Sequence, residues 1–356
     1  MATHVDEEHH VESLSSSDQK LQVKDFVWSA EEWPKLKHDV FDDEQDIPVI
    51  RLSREGEEDY GGLCRKMVAA AQKWGFFKLV DHGVAAEIIN DITVCLNRFY
   101  DLPMEQKLKG ARTGSLPLGY SASNVDYGNN LPWAEILQLL HSPQQVLEFA
   151  TRVYGDHSHH HFSNAMMKYL NAMEEVGIRI LEMLATGLGL GSDFFSRHLR
   201  EQENSMIRVN RYPPCPLPGR CLGLGSHSDP HTLTILLQDQ VGGLQVCDHH
   251  NRWFGVRPLP NSFVVNIGDT LEAWSNGRLK SVVHRAVVNE ERHRLSLAYF
   301  ISPAADTPIE SPLQLMNAQP KPRNYKTFTW ADFRNELLKQ RRVVGKTALH
   351  RYLIDS

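Results

Sequence analysis

Two histidines and one aspartate, His227, Asp229 and His284, form a ligand set suited to a redox-active metal. Two imidazoles and a carboxylate on one face of an iron(II) ion leave three adjacent positions open for a co-substrate and dioxygen. His227 and Asp229 are two residues apart in GLGSHSDPHT, so on an extended strand their side chains share a side. His284 arrives far along the chain in SVVHRAVV, as it would from another strand of a barrel. A His-x-Asp pair alone is a weak signal, because the chain holds 18 histidines. His4-Val5-Asp6 repeats the spacing inside a polar tail. Context separates the two copies: TLTILLQ (232–238), GGLQV (242–246), SFVVNIGD (262–269), SVVHRAVV (281–288) and RLSLAYFIS (294–302) follow the later one. Short β-rich runs punctuated by Gly, Asn and Pro predict a sandwich or barrel, a scaffold rigid enough to hold ligands in place.

Arg294 and Ser296 stand at alternate positions of RLSLAYFIS and so share a strand face, with Leu295 and Leu297 on the other. A buried guanidinium needs a partner, and its planar fork matches a carboxylate. Ser296 adds a hydroxyl, and Tyr212 in NRYPPCP another. Together they describe a site for a small dicarboxylate near the metal.

The segments VNRYPPCP, SHSDPHTLTILLQD, VGGLQV, FVVNIGDTLEAWSNG, SVVHRAVVN and RLSLAYF resemble the plant 2-oxoglutarate- and iron(II)-dependent dioxygenases, most of all the gibberellin-oxidase type. IPVIRL (47–52) and AAAQKWGFFKLVDHGV (69–84) resemble that family's N-terminal region, so the likeness runs from about residue 45 to 355. It implies iron ligands at His227, Asp229 and His284, and 2-oxoglutarate contacts at Arg294, Ser296 and Tyr212, with Asn210 a lesser candidate. It implies Fe(2+) and 2-oxoglutarate as cofactor and co-substrate, with ascorbate a candidate reductant. Two segments depart from the gibberellin 20-oxidase pattern: LPWAEI (131–136) stands where LPWKET is usual, and NRYPPC where NYYPPC is usual. Those departures point to a different oxidation position or a different acid.

The positioning elements follow from pattern. Residues 1–25, with SLSSSDQ at the centre, are polar and expected to be disordered. Residues 26–160 form an N-terminal region: apolar anchors in FVWSAEEWPKL, strands at IPVIRL and FFKLVDHG, a helix ending near Gly75, helical spacing over 85–109, and a long Gly/Ser/Asn-rich loop over 110–133. Residues 161–356 supply a long helix over 162–190, apolar at Met166, Tyr169, Leu170, Met173, Val176, Ile180 and Leu184, then the β-rich segments, then helix again over 325–354. Helices before strands, without βαβ alternation, predict an α+β fold. The resemblance specifies a double-stranded β-helix (jelly-roll) core with flanking N- and C-terminal helices.

Composition sets the outer limits. A chain of 356 residues with 41% hydrophobic and 23% charged residues is an ordinary globular protein. A net charge of −6 provides no domain-wide basic field for nucleic acid. No apolar run approaches the roughly 18 residues of a membrane helix. Five cysteines follow no metal or disulfide spacing, so reduced thiols and a cytoplasmic location are expected, with the nucleus as alternative. The expected partners are a small-molecule substrate and dioxygen, and the expected state is a monomer.

Other polar groups have simpler readings. The cluster HSHHH (157–161) reads as a solvated helix entry, His82 as a structural histidine, and the run Lys339 to Arg342 as a solvated helix face. His231 lies two residues past Asp229, as a neighbour of the metal group or an exposed side chain. Arg208 alternates with Asn210 and Tyr212, so it faces the same side; a substrate contact and an internal salt bridge both fit. Phe300 and Ser302 extend the Arg294/Ser296 face, and Tyr120, Trp133 and Glu135 are candidates for a substrate lid. The combined reading is oxidation of a small plant hormone or specialised metabolite, with succinate and carbon dioxide released. A gibberellin-like diterpenoid acid is the expected substrate, and a flavonoid or other phenolic the alternative. Two other classes share parts of the pattern. A zinc hydrolase would use the same three ligands but leaves Arg294 and Ser296 unexplained. A non-catalytic small-molecule binder would have no need of them.

Overall fold

Alternation along strands decides which side chains reach the centre of this protein. Its computed structural model describes residues 21–42, 46–112, 118–122, 130–199, 205–317, 323–339 and 347–354. Residues 1–20 of the expected disordered tail lie outside the described residues; residues 21–25 are ordered instead, with a 3-10 turn over Val23–Phe26 and Leu21 and Val23 packed on the Phe26 cluster. The strands in the first half are β1 (Val49–Arg51), β2 (Phe76–Val80), β3 (Gly119–Ser121), β4 (Glu135–Leu140), β5 (Met206–Tyr212) and β6 (Leu222–His227). Next come β7 (Leu233–Gln238), β8 (Leu244–Cys247), β9 (Trp253–Gly255), β10 (Phe263–Ile267), β11 (His284–Val287) and β12 (Arg294–Ile301). A short pair, β13 (Pro308–Ile309) and β14 (Phe328–Thr329), lies outside the main sheets.

The larger sheet runs β1-β2-β10-β7-β12-β5-β4-β3, and the smaller runs β6-β11-β8-β9. Apart from the parallel pair β1 and β2, the strand pairings in these two sheets are antiparallel among the described residues. This is the jelly-roll core expected. Strands from the N-terminal region, β1 and β2 at one edge and β3 and β4 at the other, widen the larger sheet rather than forming one of their own.

The helices are α1 (Tyr60–Lys73), α2 (Ala86–Tyr100), α3 (Met104–Leu108), α4 (Pro143–Tyr154), α5 (His160–Gly187), α6 (Asp269–Trp274), α7 (Leu313–Asn317), α8 (Trp330–Lys339) and α9 (Thr347–His350). All seven apolar positions predicted for the long helix are buried in α5. They pack with Ile207, Val209, Leu233, Ile235, Leu297, Tyr299 and Ile301, the outward face of β5, β7 and β12. A Cβ on Gly177 of α5 would lie 1.9 Å from Ile301 Cδ1, which shows how closely helix and sheet approach. The other face of the same strands, covered in this way from behind, is left to line the space between the sheets.

The FVWSAEEWPKL segment, whose role the sequence leaves open, straps the outer face of the smaller sheet. Trp28 is buried against Leu222 and Val287, and its Nε1 donates to Leu131 O at 3.1 Å. Gln245 Nε2 donates to Leu36 O at 3.0 Å. A Cβ on Gly225 would come within 2.2 Å of the Trp28 ring, so only glycine fits under the strap there.

Candidate active site

His227 ends β6 and His284 begins β11, and the two are directly opposed in the antiparallel register of the smaller sheet. Their rings stand 4.3 Å apart. His227 Nδ1 lies 2.8 Å from Gly225 O, and His284 Nδ1 lies 3.1 Å from Val282 O. A carbonyl only accepts, so both Nδ1 atoms carry the proton and both Nε2 atoms present a lone pair. Asp229 Oδ1 lies 3.5 Å from His227 Nε2 and 3.6 Å from His284 Nε2. One ligand atom from each of the three residues fits within a 4.8 Å group. With both rings neutral, three acceptors converge on one point, an arrangement that a cation completes.

The surroundings hold the aspartate ionised and aimed. Burial alone would raise the Asp229 carboxyl. The adjacent His284 and His227 and the Thr234 hydroxyl outweigh it and keep the group far below the usual carboxylate range. Oδ2 accepts from Thr234 Oγ1 at 2.6 Å and from Asn266 Nδ2 at 2.7 Å. Oδ1 is thereby left for the metal. Burial, reinforced by His227, lowers His284 to about 4, so it is neutral and free to ligate at pH 7. The backbone is braced as well. Asp269 N donates to Asp229 O at 2.7 Å, and a Cβ on Gly268 would lie 1.8 Å from His231 O.

A cavity of about 350 Å³ opens from this group. Arg294, Ser296, Ala298 and Phe300 of β12 line it, together with Met206, Arg208, Asn210 and Tyr212 of β5. Register places them in rows: Arg294 opposite Tyr212, Ser296 opposite Asn210, Ala298 opposite Arg208, Phe300 opposite Met206. Arg294 is buried and donates from Nη2 to Gln238 Oε1 at 2.9 Å, while its Nε has no partner. Its guanidinium stands 5.1 Å from the centre of the Tyr212 ring. An orphaned guanidinium nitrogen beside the Ser296 and Tyr212 hydroxyls fits a carboxylate.

Residues 203–303 match the 2OG-Fe(II) oxygenase superfamily, and residues 47–160 match the N-terminal region described as "non-haem dioxygenase in morphine synthesis N-terminal". Gibberellin 20 oxidase 1 of Arabidopsis thaliana is 38% identical over 316 residues, covering 86% of this chain and 82% of the relative. The chain belongs to the 2OG-Fe(II) oxygenase superfamily. Gibberellin 20 oxidase 1-A of Triticum aestivum is 36% identical and covers 88% of each chain. Among solved structures, JOX2 in complex with 2OG, Fe and JA superposes with a TM-score of 0.80 at 30% identity, over 97% of both chains. The rice dioxygenase for auxin oxidation gives 0.73 at 28% identity, covering 87% of this chain and all of that one. The protein is accordingly a dioxygenase that uses iron(II) and 2-oxoglutarate, and the zinc-hydrolase alternative falls away.

Within this oxygenase the predicted positions divide cleanly. His227, Asp229, His284, Arg294, Ser296, Tyr212, Asn210, Arg208 and Phe300 all line the one cavity. Ser302 does not. It is buried behind His231, with Ser302 Oγ 2.7 Å from His231 Nδ1. His231 takes no part in the metal group and stacks on Phe300, centroids 4.5 Å apart at 21°, where it forms part of the cavity wall. Tyr120, Trp133 and Glu135 form no lid, and this corrects the expectation for them. Tyr120 Oη donates to Glu135 Oε2 at 2.5 Å, and the same oxygen meets Lys107 Nζ at 2.5 Å in a buried cluster. Trp133 packs edge-on against Phe26 and donates to Pro213 O at 3.0 Å. The loop expected to run over the site folds back in part as β3 against β4, which turns Tyr120 and Glu135 toward the helices. Ala134 and Ile136, the departures in LPWAEI, are buried in a cluster with Trp133 and Tyr212 and do not line the cavity. Arg211, the other departure, pairs with Asp101 at 2.7 Å.

Sequence reasoning missed Thr234, Asn266 and Gln238, which orient the charged groups. Asn266 carried a legible signal, a single amide inside the apolar strand FVVNI. Outside the site, His82 accepts from Val84 N at 3.2 Å through Nδ1, and α5 begins at His160 within the HSHHH run. No helix among the described residues is long and apolar enough to cross a membrane.

Proposed function

We propose that this dioxygenase oxidises a mostly apolar small-molecule acid of the gibberellin type, with Arg208 as the partner of its carboxylate. One observation carries the reading. Arg208 projects into the cavity among Met206, Leu236, Ala298 and Phe300, and its buried Nη2 has no partner among the described residues. Its Nε donates to Asn210 Oδ1 at 2.9 Å, so the side chain is already oriented. An unpaired guanidinium inside an apolar wall favours an anionic group in an otherwise hydrophobic ligand. The names of the relatives support the same class: gibberellin 20 oxidases, a dioxygenase for auxin oxidation, and a neighbour bound to JA.

In this reading His227, Asp229 and His284 hold iron(II), and Arg294, Ser296 and Tyr212 hold the far carboxylate of 2-oxoglutarate. Bound together, the metal and co-substrate supply dioxygen activation coupled to decarboxylation, yielding succinate, carbon dioxide and an oxidised substrate. The protein's part is geometric. Asn266 and Thr234 fix the aspartate, Gln238 fixes Arg294, and the stacked His231 and Phe300 shape the wall against which substrate rests. Apolar side chains exclude water from the reacting C–H bond.

Full-length enzyme supplied with iron, 2-oxoglutarate and ascorbate is tested against gibberellins, related diterpenoid acids and flavonoids, with product read by mass spectrometry. Arg208→Met is expected to raise the KM of an acid substrate roughly ten- to a hundred-fold, the scale of a charge-assisted hydrogen bond. The methyl ester is expected to be spared. Equal effects on acid and ester return Arg208 to a structural role and favour neutral phenolic substrates.

A further inference from the structure

Donor accounting around Arg208 points to a second substrate contact. In the row that crosses the larger sheet, Leu236, Ala298, Arg208 and Gln138 are successive partners on β7, β12, β5 and β4. Neighbours in such a row stand about 5 Å apart. Ala298 has only a methyl group, which leaves space over the row for a ligand. Gln138 is a buried amide in the apolar strand EILQLL, and it lines the cavity.

Arg112, half-buried at the end of the segment after α3, donates from Nη2 to Gln138 Oε1 at 3.0 Å. A guanidinium has no acceptor, so this bond settles which end of the amide is oxygen. The amide nitrogen is therefore the end turned away from Arg112, and the bond from Arg112 is the side-chain hydrogen bond Gln138 makes among the described residues. Arg208 Nη2 is buried without a partner. The acceptors nearby are already engaged: Asn210 Oδ1 by Arg208 Nε, and Gln138 Oε1 by Arg112. Two side chains adjacent in the row thus line the same cavity, each with a donor that these acceptors do not engage. Neither can satisfy the other, because both are donors.

We propose that Gln138 Nε2 and Arg208 Nη2 together grip the two oxygens of the substrate's carboxylate, with Arg112 as the positioning residue that holds the amide in its donating orientation. This rests on the reading of Arg208 as the carboxylate partner. Gln138 then sets specificity: it favours acids over alcohols and esters, because a carboxylate presents two equivalent, charged acceptors and they do not.

The test is calorimetric binding of gibberellic acid and its methyl ester to the full-length protein with 2-oxoglutarate under argon, so that no turnover intervenes. Gln138→Met keeps the volume and removes the donor; its affinity for the acid is expected to fall about ten-fold or more, with little change for the ester. Gln138→Glu sets an anion beside Arg208 and is expected to lose the acid more completely than Gln138→Met does. Arg112→Met is expected to weaken acid binding in the wild-type background and to add nothing in Gln138→Met, a coupling that general loosening of the strand would not produce. Unchanged 2-oxoglutarate affinity in each variant shows that the fold is intact. If the wild-type protein does not bind the acid, the carboxylate reading itself fails. If it binds the acid and Gln138→Met binds it equally well, only the role of Gln138 is overturned.

Discussion

Replacing Asn266 by Leu isolates what holds the metal-binding carboxylate in place. Asn266 Nδ2 donates to Asp229 Oδ2 at 2.7 Å from the centre of an apolar strand, and Thr234 Oγ1 supplies the second bond at 2.6 Å. Leucine keeps the branching of the amide in a somewhat larger side chain, and one of the two bonds disappears. Asp229 then keeps a single fixed contact on Oδ2, and its carboxyl plane is free to rotate Oδ1 away from the two Nε2 atoms. Outer contacts of this kind change metal affinity by about 10- to 100-fold, or roughly 1.4–2.7 kcal/mol at 1.4 kcal/mol per decade. Thr234→Val is expected to fall in the same range, and the double substitution to lose more than either alone. Titration calorimetry with manganese(II) under argon reads the effect without turnover, and the melting of the metal-free protein controls for folding. Manganese affinity within two-fold of wild type in Asn266→Leu would show that the backbone alone aims Asp229, and the argument from its partners would be refuted.

Three further outcomes follow from the same geometry. Arg294→Lys keeps the charge but loses the fork that reaches both Gln238 and a carboxylate, so 2-oxoglutarate affinity is expected to fall by about 1.5–3 kcal/mol, with Ser296→Ala costing less; unchanged titration curves place the co-substrate clamp elsewhere. Gly268→Ala would drive a methyl group into His231 O, 1.8 Å away, and push the Asp229 turn, so loss of metal binding is expected while secondary structure by circular dichroism persists. Burial lowers His231 to about 4. Its folded value lies below the unfolded one, so the stability it contributes is present above about pH 6.5 and is lost as pH falls toward 4. The acid-unfolding midpoint of metal-free His231→Gln is therefore expected to move to lower pH.

The grouping of His227, Asp229, His284, Arg294 and Ser296 around one cavity was legible because residue type and strand periodicity coincide there. Alternation along RLSLAYFIS placed Arg294, Ser296 and Phe300 on one face, and β12 keeps that face toward the cavity. Ser302 broke the extrapolation because β12 ends at Ile301 and the alternating face ends with it. Tyr120, Trp133 and Glu135 went astray for a different reason. A long polar loop with aromatic residues reads as a lid when no partner is visible, and Lys107, the partner that buries Glu135, lies on a different segment. Long-range pairings such as β3 with β4 and β4 with β5 leave no local mark on composition. Gln138 was missed for the same reason: its meaning depends on lying opposite Arg208, a relation that only the sheet register supplies.

The two sheets divide the work, and that division explains why reaction class was easier to read than substrate. The smaller sheet supplies His227 and His284 at directly opposed positions, with Asp229 immediately after β6. In the proposed role a change at any of the three would alter an ion's coordination, so the required residue types are few and appear in the sequence as themselves. The larger sheet supplies Arg294, Ser296 and the pair Arg208 and Gln138 in three successive rows, and a ligand of any length contacts several rows at once. Many combinations of side chains can build such a wall, so residue types there carry information only jointly. The LPWAEI segment shows the same principle from the other side. Ala134 and Ile136 depart from the gibberellin 20-oxidase pattern yet sit in a packed cluster with Trp133, Phe26 and Tyr212 and do not line the cavity. Their influence on substrate choice has to pass through Tyr212 or through the lie of β4, whose next inward residue is Gln138. Differences between this dioxygenase and its relatives in substrate preference are therefore expected to track Gln138 and Arg208, with exchanges at Ala134 and Ile136 acting mainly on stability.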